Sequence, residues 1–112
     1  MESFGTLIRR IRTSKGLLLR EVAAGLRIDP SFLSRIESDT RRATREHVIQ
    51  LAAFLKADEN ELLIAYLSDK IIYELQGEKL AMKAMSVAEQ KIMYLSLHSY
   101  TLTDTTKRNE TQ

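Results

Sequence analysis

Residues 19–37, Leu-Arg-Glu-Val-Ala-Ala-Gly-Leu-Arg-Ile-Asp-Pro-Ser-Phe-Leu-Ser-Arg-Ile-Glu, decide the fold of this 112-residue chain. Their spacing predicts two short helices joined by a tight turn. Val22, Ala23 and Leu26 give the first an apolar face at i, i+1, i+4, and Leu33 and Ile36 give the second its own at i, i+3. Between them Asp29 suits an N-cap, and Pro30 suits the first helical position, where no backbone donor is needed. A small Ala23 lets the second helix cross close over the first. What remains outward on the second helix is Ser31, Phe32, Ser34 and Arg35. Three of these four side chains hydrogen-bond, and arginine forks onto the acceptor edge of guanine.

Such a pair has the form of a helix-turn-helix with its recognition helix at 30–38. Residues 7–55 resemble the phage-repressor-like (Cro/Xre-type) helix-turn-helix domain of bacterial regulators. The matching residues are Gly16-Leu17, Glu21-Val22-Ala23 and Ser31-Phe32-Leu33-Ser34-Arg35-Ile36-Glu37, with Leu51-Ala52-Ala53-Phe54-Leu55 resembling the family's fourth helix. The resemblance implies an all-α, lambda-repressor-like bundle that binds double-stranded operator DNA as a homodimer. It implies that Ser31, Phe32, Ser34 and Arg35 read base edges, Phe32 against a thymine methyl. Arg20, Arg41, Arg42, Thr44 and Arg45 would hold phosphates. Arg12 and Glu37 match a family ion pair that joins the first helix to the end of the third. The chain departs from the family at Leu18 and Leu19, where Ser/Thr and Gln are usual, leaving the phosphate contact there to backbone N–H groups. It departs also at Arg27 and Asp39, where Gly is usual. Arg27 is expected to hold a positive φ at a cost of ~1–2 kcal/mol, whereas Asp39 tolerates that conformation better.

Composition bounds the rest. Hydrophobic residues make up 44% and aromatics 6%, with one Pro, which is a helical composition. There is no cysteine, so a disulfide framework and thiolate metal sites are excluded. No apolar run approaches ~18 residues, and the first residues lack the order of a signal peptide, so a cytoplasmic protein without a membrane span is expected. The net charge of +2 hides an asymmetry. Residues 1–57 carry eleven Lys/Arg, nine of them Arg, against six acids, for +5; residues 58–112 carry six bases and nine acids, for −3. A polyanion-binding half joined to a half with another task fits that split.

Taken in order, Ser3 is expected to cap a helix over 4–15 whose stripe is Phe4, Leu7, Ile8 and Ile11. Thr44 caps a fourth helix over 45–56 with Val48, Leu51, Ala52 and Leu55 inward. Asp58-Glu59-Asn60-Glu61 reads as a capping box opening a helix over 59–76, ended by Gly77. Ser86-Val87-Ala88-Glu89 reads as a second capping box starting a helix to about 98. This organisation divides the chain into a DNA-binding domain at 1–57, a helical dimerisation extension at 58–99 and a disordered polar tail at 100–112. The apolar surplus of the extension needs a partner, and a second copy is expected through Leu63, Tyr66, Leu67, Ile71, Ile92 and Leu95. A ligand pocket lined by Met82, Met85, Met93 and the tyrosines is the competing use of that surplus.

No Gly-rich phosphate loop or nucleophile–base constellation is present, and His47 and His98 lack metal-ligand spacing. No enzyme, cofactor or metal is expected. His47 reads as a solvated helix residue. Among small members of the family, the chain resembles the autoregulatory controllers beside restriction–modification genes, and also antitoxins. The reading from another class is a module that uses the fold to bind a protein, a toxin or RNA polymerase.

Overall fold

The computed structural model describes residues 2–98. The described residues form six helices and no strand: α1 (Phe4–Ser14), α2 (Leu19–Leu26), α3 (Pro30–Glu37), α4 (Arg45–Leu55), α5 (Glu59–Leu75) and α6 (Ala81–Leu97). The all-α expectation holds. None of these helices is long and apolar enough to cross a membrane.

Local chemistry starts each of the first four helices. Ser3 Oγ accepts the N–H of Thr6 at 3.2 Å to open α1. Leu18 has no polar group with which to cap α2, and Glu21 reaches back instead, its Oε1 accepting the Leu18 N–H at 2.8 Å. Asp29 Oδ1 accepts the Ser31 N–H at 2.8 Å, with Pro30 at the first position of α3. At α4 the bonds are reciprocal: Thr44 Oγ1 accepts from the His47 N–H at 3.2 Å and His47 Nδ1 accepts from the Thr44 N–H at 3.1 Å. His47 is thus a capping residue at the surface, its half-exposed imidazole filling the role a Glu or Gln usually has in a capping box.

Two left-handed residues stand where glycine is usual, Arg27 (φ 58°) and Asp39 (φ 63°), and Lys56 (φ 53°) joins them at the end of α4. The core lies among α1–α5. Ile8, Val22, Leu33, Ile36, Val48, Leu51, Leu55 and Leu62 are fully buried, each contributing about 1.5–3 kcal/mol by leaving water. Close approach sets two of the crossings. A Cβ at Gly5 would stand 2.6 Å from Asp39 Oδ1 and 2.8 Å from the Glu37 carbonyl, so only Gly lets α1 lie on the end of α3. Gly25 similarly leaves room for the Phe54 ring of α4.

The helices through Glu74 form one compact unit and the described residues from Leu75 a second, so most of α5 is grouped with the first four helices. Long-range contacts explain why α5 stays with the core. Leu62 is fully buried, Tyr66 meets Phe4 edge-on with ring centroids 6.1 Å apart, and Asp69 Oδ2 accepts the Phe4 N–H at 2.9 Å. Leu63 and Tyr66 accordingly pack against the chain's own core, while Leu67 and Ile71 remain exposed. Asp58 Oδ1 accepts the Asn60 N–H at 2.9 Å at the start of α5; no return bond from Glu61 completes a box among the described residues.

Within the second unit, α6 runs unbroken from Ala81, so Ser86 sits inside the helix and starts nothing. The residues before it, Ala81-Met82-Lys83-Ala84-Met85, are strong helix formers that carry the helix through Ser86. No residue of α6 is buried. The proposed tail at 100–112 lies outside the described residues.

Candidate nucleic-acid interface

The outward face of α3 is built by what its inward face does. Leu33 and Ile36 are buried, and this leaves Ser31, Ser34 and Arg35 exposed with Phe32 half-buried. Ser31 Oγ donates to Asp29 Oδ1 at 2.7 Å, so its hydrogen is committed and its oxygen lone pairs face outward as acceptors. That bond, with the Ser31 backbone N–H, holds the Asp29 carboxyl below the ordinary aspartate range. Arg35 forms no ion pair among the described residues, so its guanidinium is free to meet another group.

Phe32 is less available than its place in the sequence suggests. Its ring meets His47 of α4 edge-on, centroids 5.3 Å apart, and the Arg41 guanidinium lies 5.3 Å from its centroid. The aromatic side chain therefore joins α3 to the loop and helix that follow, and only part of it faces solvent.

The orientation of α3 rests on a charged clamp. Arg12 Nε donates to Glu37 Oε2 at 2.7 Å, Nη2 to Oε1 at 3.0 Å, and Nη1 to the Leu17 carbonyl at 2.9 Å. Both side chains are nearly enclosed, 12% and 6% exposed. The hydrogen bond to Glu37, foremost, makes the guanidinium hold its proton more tightly than a free arginine. One fork thus ties α1, the α1–α2 turn and the end of α3, with planar geometry that lysine could not supply.

The Arg-rich loop between α3 and α4 is stitched to α3 through one carbonyl. Arg35 O accepts the N–H groups of Thr40 at 2.9 Å and Arg41 at 3.2 Å. Asp39 adds a second tie, its Oδ1 accepting the Gly5 N–H at 3.2 Å and its Oδ2 the Ser3 hydroxyl at 2.5 Å. From this frame Arg41 turns toward Phe32, while Arg42 stacks on Tyr73 of α5, 3.8 Å from the ring centroid. Arg45 is exposed at the start of α4, and the Thr44 hydroxyl is engaged in its cap. Arg20 is exposed in the first turn of α2. A cleft of about 290 Å³ opens between the loop and α5, edged by Arg41, Arg42, Arg45 and Lys70 and walled by Tyr66 and Tyr73. The contributions of His47, Asp39, Asp69 and Tyr73 escaped the sequence reading. Only the Thr44-x-x-His47 spacing carried a signal of one of them.

This geometry, a buried apolar seam with a polar third helix and an arginine loop beside it, defines a helix-turn-helix protein. Residues 8–62 match the family model described as helix-turn-helix (HTH_3), and this segment is a Cro/C1-type helix-turn-helix domain of that family of DNA-binding transcription regulators. Comparison with curated proteins gives no match. Among solved structures, the chain is similar to the clp gene regulator ClgR from Corynebacterium glutamicum. The TM-score is 0.53 at 22% identity over 88% of this chain and 92% of that one, a likeness of fold.

Proposed function

We propose that this protein regulates transcription by binding a palindromic operator as a homodimer, α3 entering the major groove of each half-site. The observation that carries the proposal is the exposed Ser31, Ser34 and Arg35 face beside a loop whose arginines form no ion pair among the described residues. Arg35 is assigned to a guanine edge. Ser31, its hydrogen held by Asp29, acts as an acceptor and favours an amino-bearing edge, adenine N6 or cytosine N4. Phe32 offers its outer edge to a thymine methyl, and Ser34 completes the set. Arg20, Arg41, Arg42, Thr44 and Arg45 face phosphate, and Arg12 with Glu37 sets the angle of the reading helix.

Dimerisation is assigned to the apolar positions that the chain leaves uncovered. In α5 these are Leu67 and Ile71, each 42% exposed, with Ile64 at 68% on the same stripe. In α6 Ile92 and its neighbour Met93 are mostly exposed and Leu95 is half-buried. Leu63 and Tyr66 contribute by shaping α5 from beneath. Autoregulation of its own operon, as in controller proteins, follows if the selected operator lies upstream of the gene. Selecting bound duplexes from a random pool tests the proposal: a two-fold symmetric consensus is expected, and recovery of no consensus overturns it.

A second reading, a module that binds a protein such as a toxin or RNA polymerase, is favoured by α6, which buries none of its residues. Capture of a partner that survives high salt, together with failure to retain DNA at moderate salt, would select it.

A further inference from the structure

Consecutive arginines in the loop after α3 are each laid on an aromatic ring, and the rings belong to different helices. Arg41 lies over Phe32 of the reading helix; Arg42 lies over Tyr73, near the end of α5 and 31 positions along the chain. The second contact is the closer, 3.8 Å from guanidinium carbon to ring centroid against 5.3 Å. Tyr73 also donates its hydroxyl to the carbonyl of Asp39 at 3.3 Å. Asp39 is the left-handed residue at which the loop leaves α3, and its carboxylate already holds the N-terminus of α1. A single side chain of α5 therefore grips the loop at its first turn and at its fourth residue.

We propose that Tyr73 is a positioning residue for DNA binding: its ring and hydroxyl fix the 39–44 loop and present Arg42 to the phosphate backbone. The inference rests on the DNA-binding reading above. A guanidinium stacked face-on keeps its N–H donors in the plane of the group, pointing away from the ring. Stacking therefore does not hide Arg42 from an anion; it removes the rotamer freedom that an exposed arginine would lose on contact. Tyr73 is 39% exposed, so the ring is a support at the surface and not part of the core. The arrangement also makes α5 the physical link between the uncovered stripe at Leu67 and Ile71 and the arginine loop.

The test is a double-mutant cycle on the whole 112-residue chain, with affinities for the selected operator measured by fluorescence anisotropy at several salt concentrations. Without the ring, Arg42 must be ordered at the moment of contact, and the ordering cost of one rotamer-rich side chain is enough that Tyr73→Leu should weaken binding by about 2–5-fold. Tyr73→Phe keeps the ring and should recover most of that loss. In an Arg42→Ala background, Tyr73→Leu should have a clearly smaller effect, the remainder coming from its hydroxyl on the Asp39 carbonyl. A DNA-free readout accompanies the cycle: ring-current shifts of the Arg42 side-chain protons should persist in Tyr73→Phe and vanish in Tyr73→Leu, with unchanged melting curves showing that both variants fold. If Tyr73→Leu weakens binding equally with and without Arg42, or not at all, the positioning role is overturned while the DNA reading stands. If the wild-type protein retains no duplex, the DNA reading itself fails and takes this role with it.

Discussion

Removing the Glu37 carboxylate should be among the most damaging single changes in the molecule. In Glu37→Ala the Arg12 guanidinium loses two charged hydrogen bonds, at 2.7 and 3.0 Å, and keeps only the Leu17 carbonyl. Its side chain is 12% exposed, so little water replaces what is lost. Breaking a fully buried pair costs about 3–5 kcal/mol, and the partial access of Arg12 brings the expected loss to about 2–4 kcal/mol. For a domain of this size that lowers the melting temperature by roughly 10–30 °C. Thermal unfolding followed by circular dichroism measures it. Arg12→Leu with Glu37→Leu together should cost less than the sum of the single changes, because no charge is then left stranded. Additive losses, each below about 0.5 kcal/mol, would mean that the clamp is no more than a surface pair.

Truncation separates folding from assembly. A chain ending at Glu74 should stay folded and lose dimer affinity, whereas one ending at Ala57 also loses Leu62 and the Asp69 bond to Phe4 and should melt far lower; calorimetry and sedimentation read the two effects. Arg35→Ala should cost ~1–3 kcal/mol on the selected operator and relax one base position, with scrambled duplex hardly affected. Arg41→Ala should instead weaken all duplexes alike and reduce the salt slope by about one unit; equal behaviour of the two variants would remove Arg35 from base reading. Asp29 supplies an acid limit. Its carboxyl is held low in the folded chain, so its stabilisation is complete above the unfolded value of about 4 and is lost as pH falls through the lower folded value. Urea unfolding at pH 5 and pH 3 should therefore show a smaller acid loss in Asp29→Asn than in wild type.

What the sequence made legible was local. The two helices around Arg27-Ile28-Asp29-Pro30 follow from apolar spacing and a capping aspartate, and both operate within a few residues. The second capping box failed for an equally local reason: Ser86 has the right spacing, but the five residues ahead of it already propagate a helix. The ties that carry α5 onto the core were out of reach. Asp69 meets Phe4 across 65 positions and Tyr73 meets Asp39 across 34, and no periodicity along a chain encodes such pairings. The same blindness affected the proposed interface, where Tyr66 looks like surplus apolar surface until Phe4 is seen against it. Phe32 shows the converse. Its exposure was inferred from helical spacing, which cannot register that His47 comes alongside.

Arg27 and Lys56 hold left-handed turns that a glycine would adopt more easily, and both are cations at the carboxyl ends of helices, where the backbone carries partial negative charge. Glycine at both sites would relieve about 1–2 kcal/mol of strain per turn, offset in part by a looser unfolded chain. It would also take the formal charge of residues 1–57 from +5 to +3. That charge acts before any contact forms, since the long-range field of a basic surface draws a polyanion in and sets the encounter rate at low ionic strength. A chain with glycine at these two turns would capture DNA more slowly, whatever the balance of relieved strain, lost helix-end charge and looser unfolded chain does to its melting. The strain in the turns is thus coupled to speed of search, a property that neither the core nor the reading helix controls.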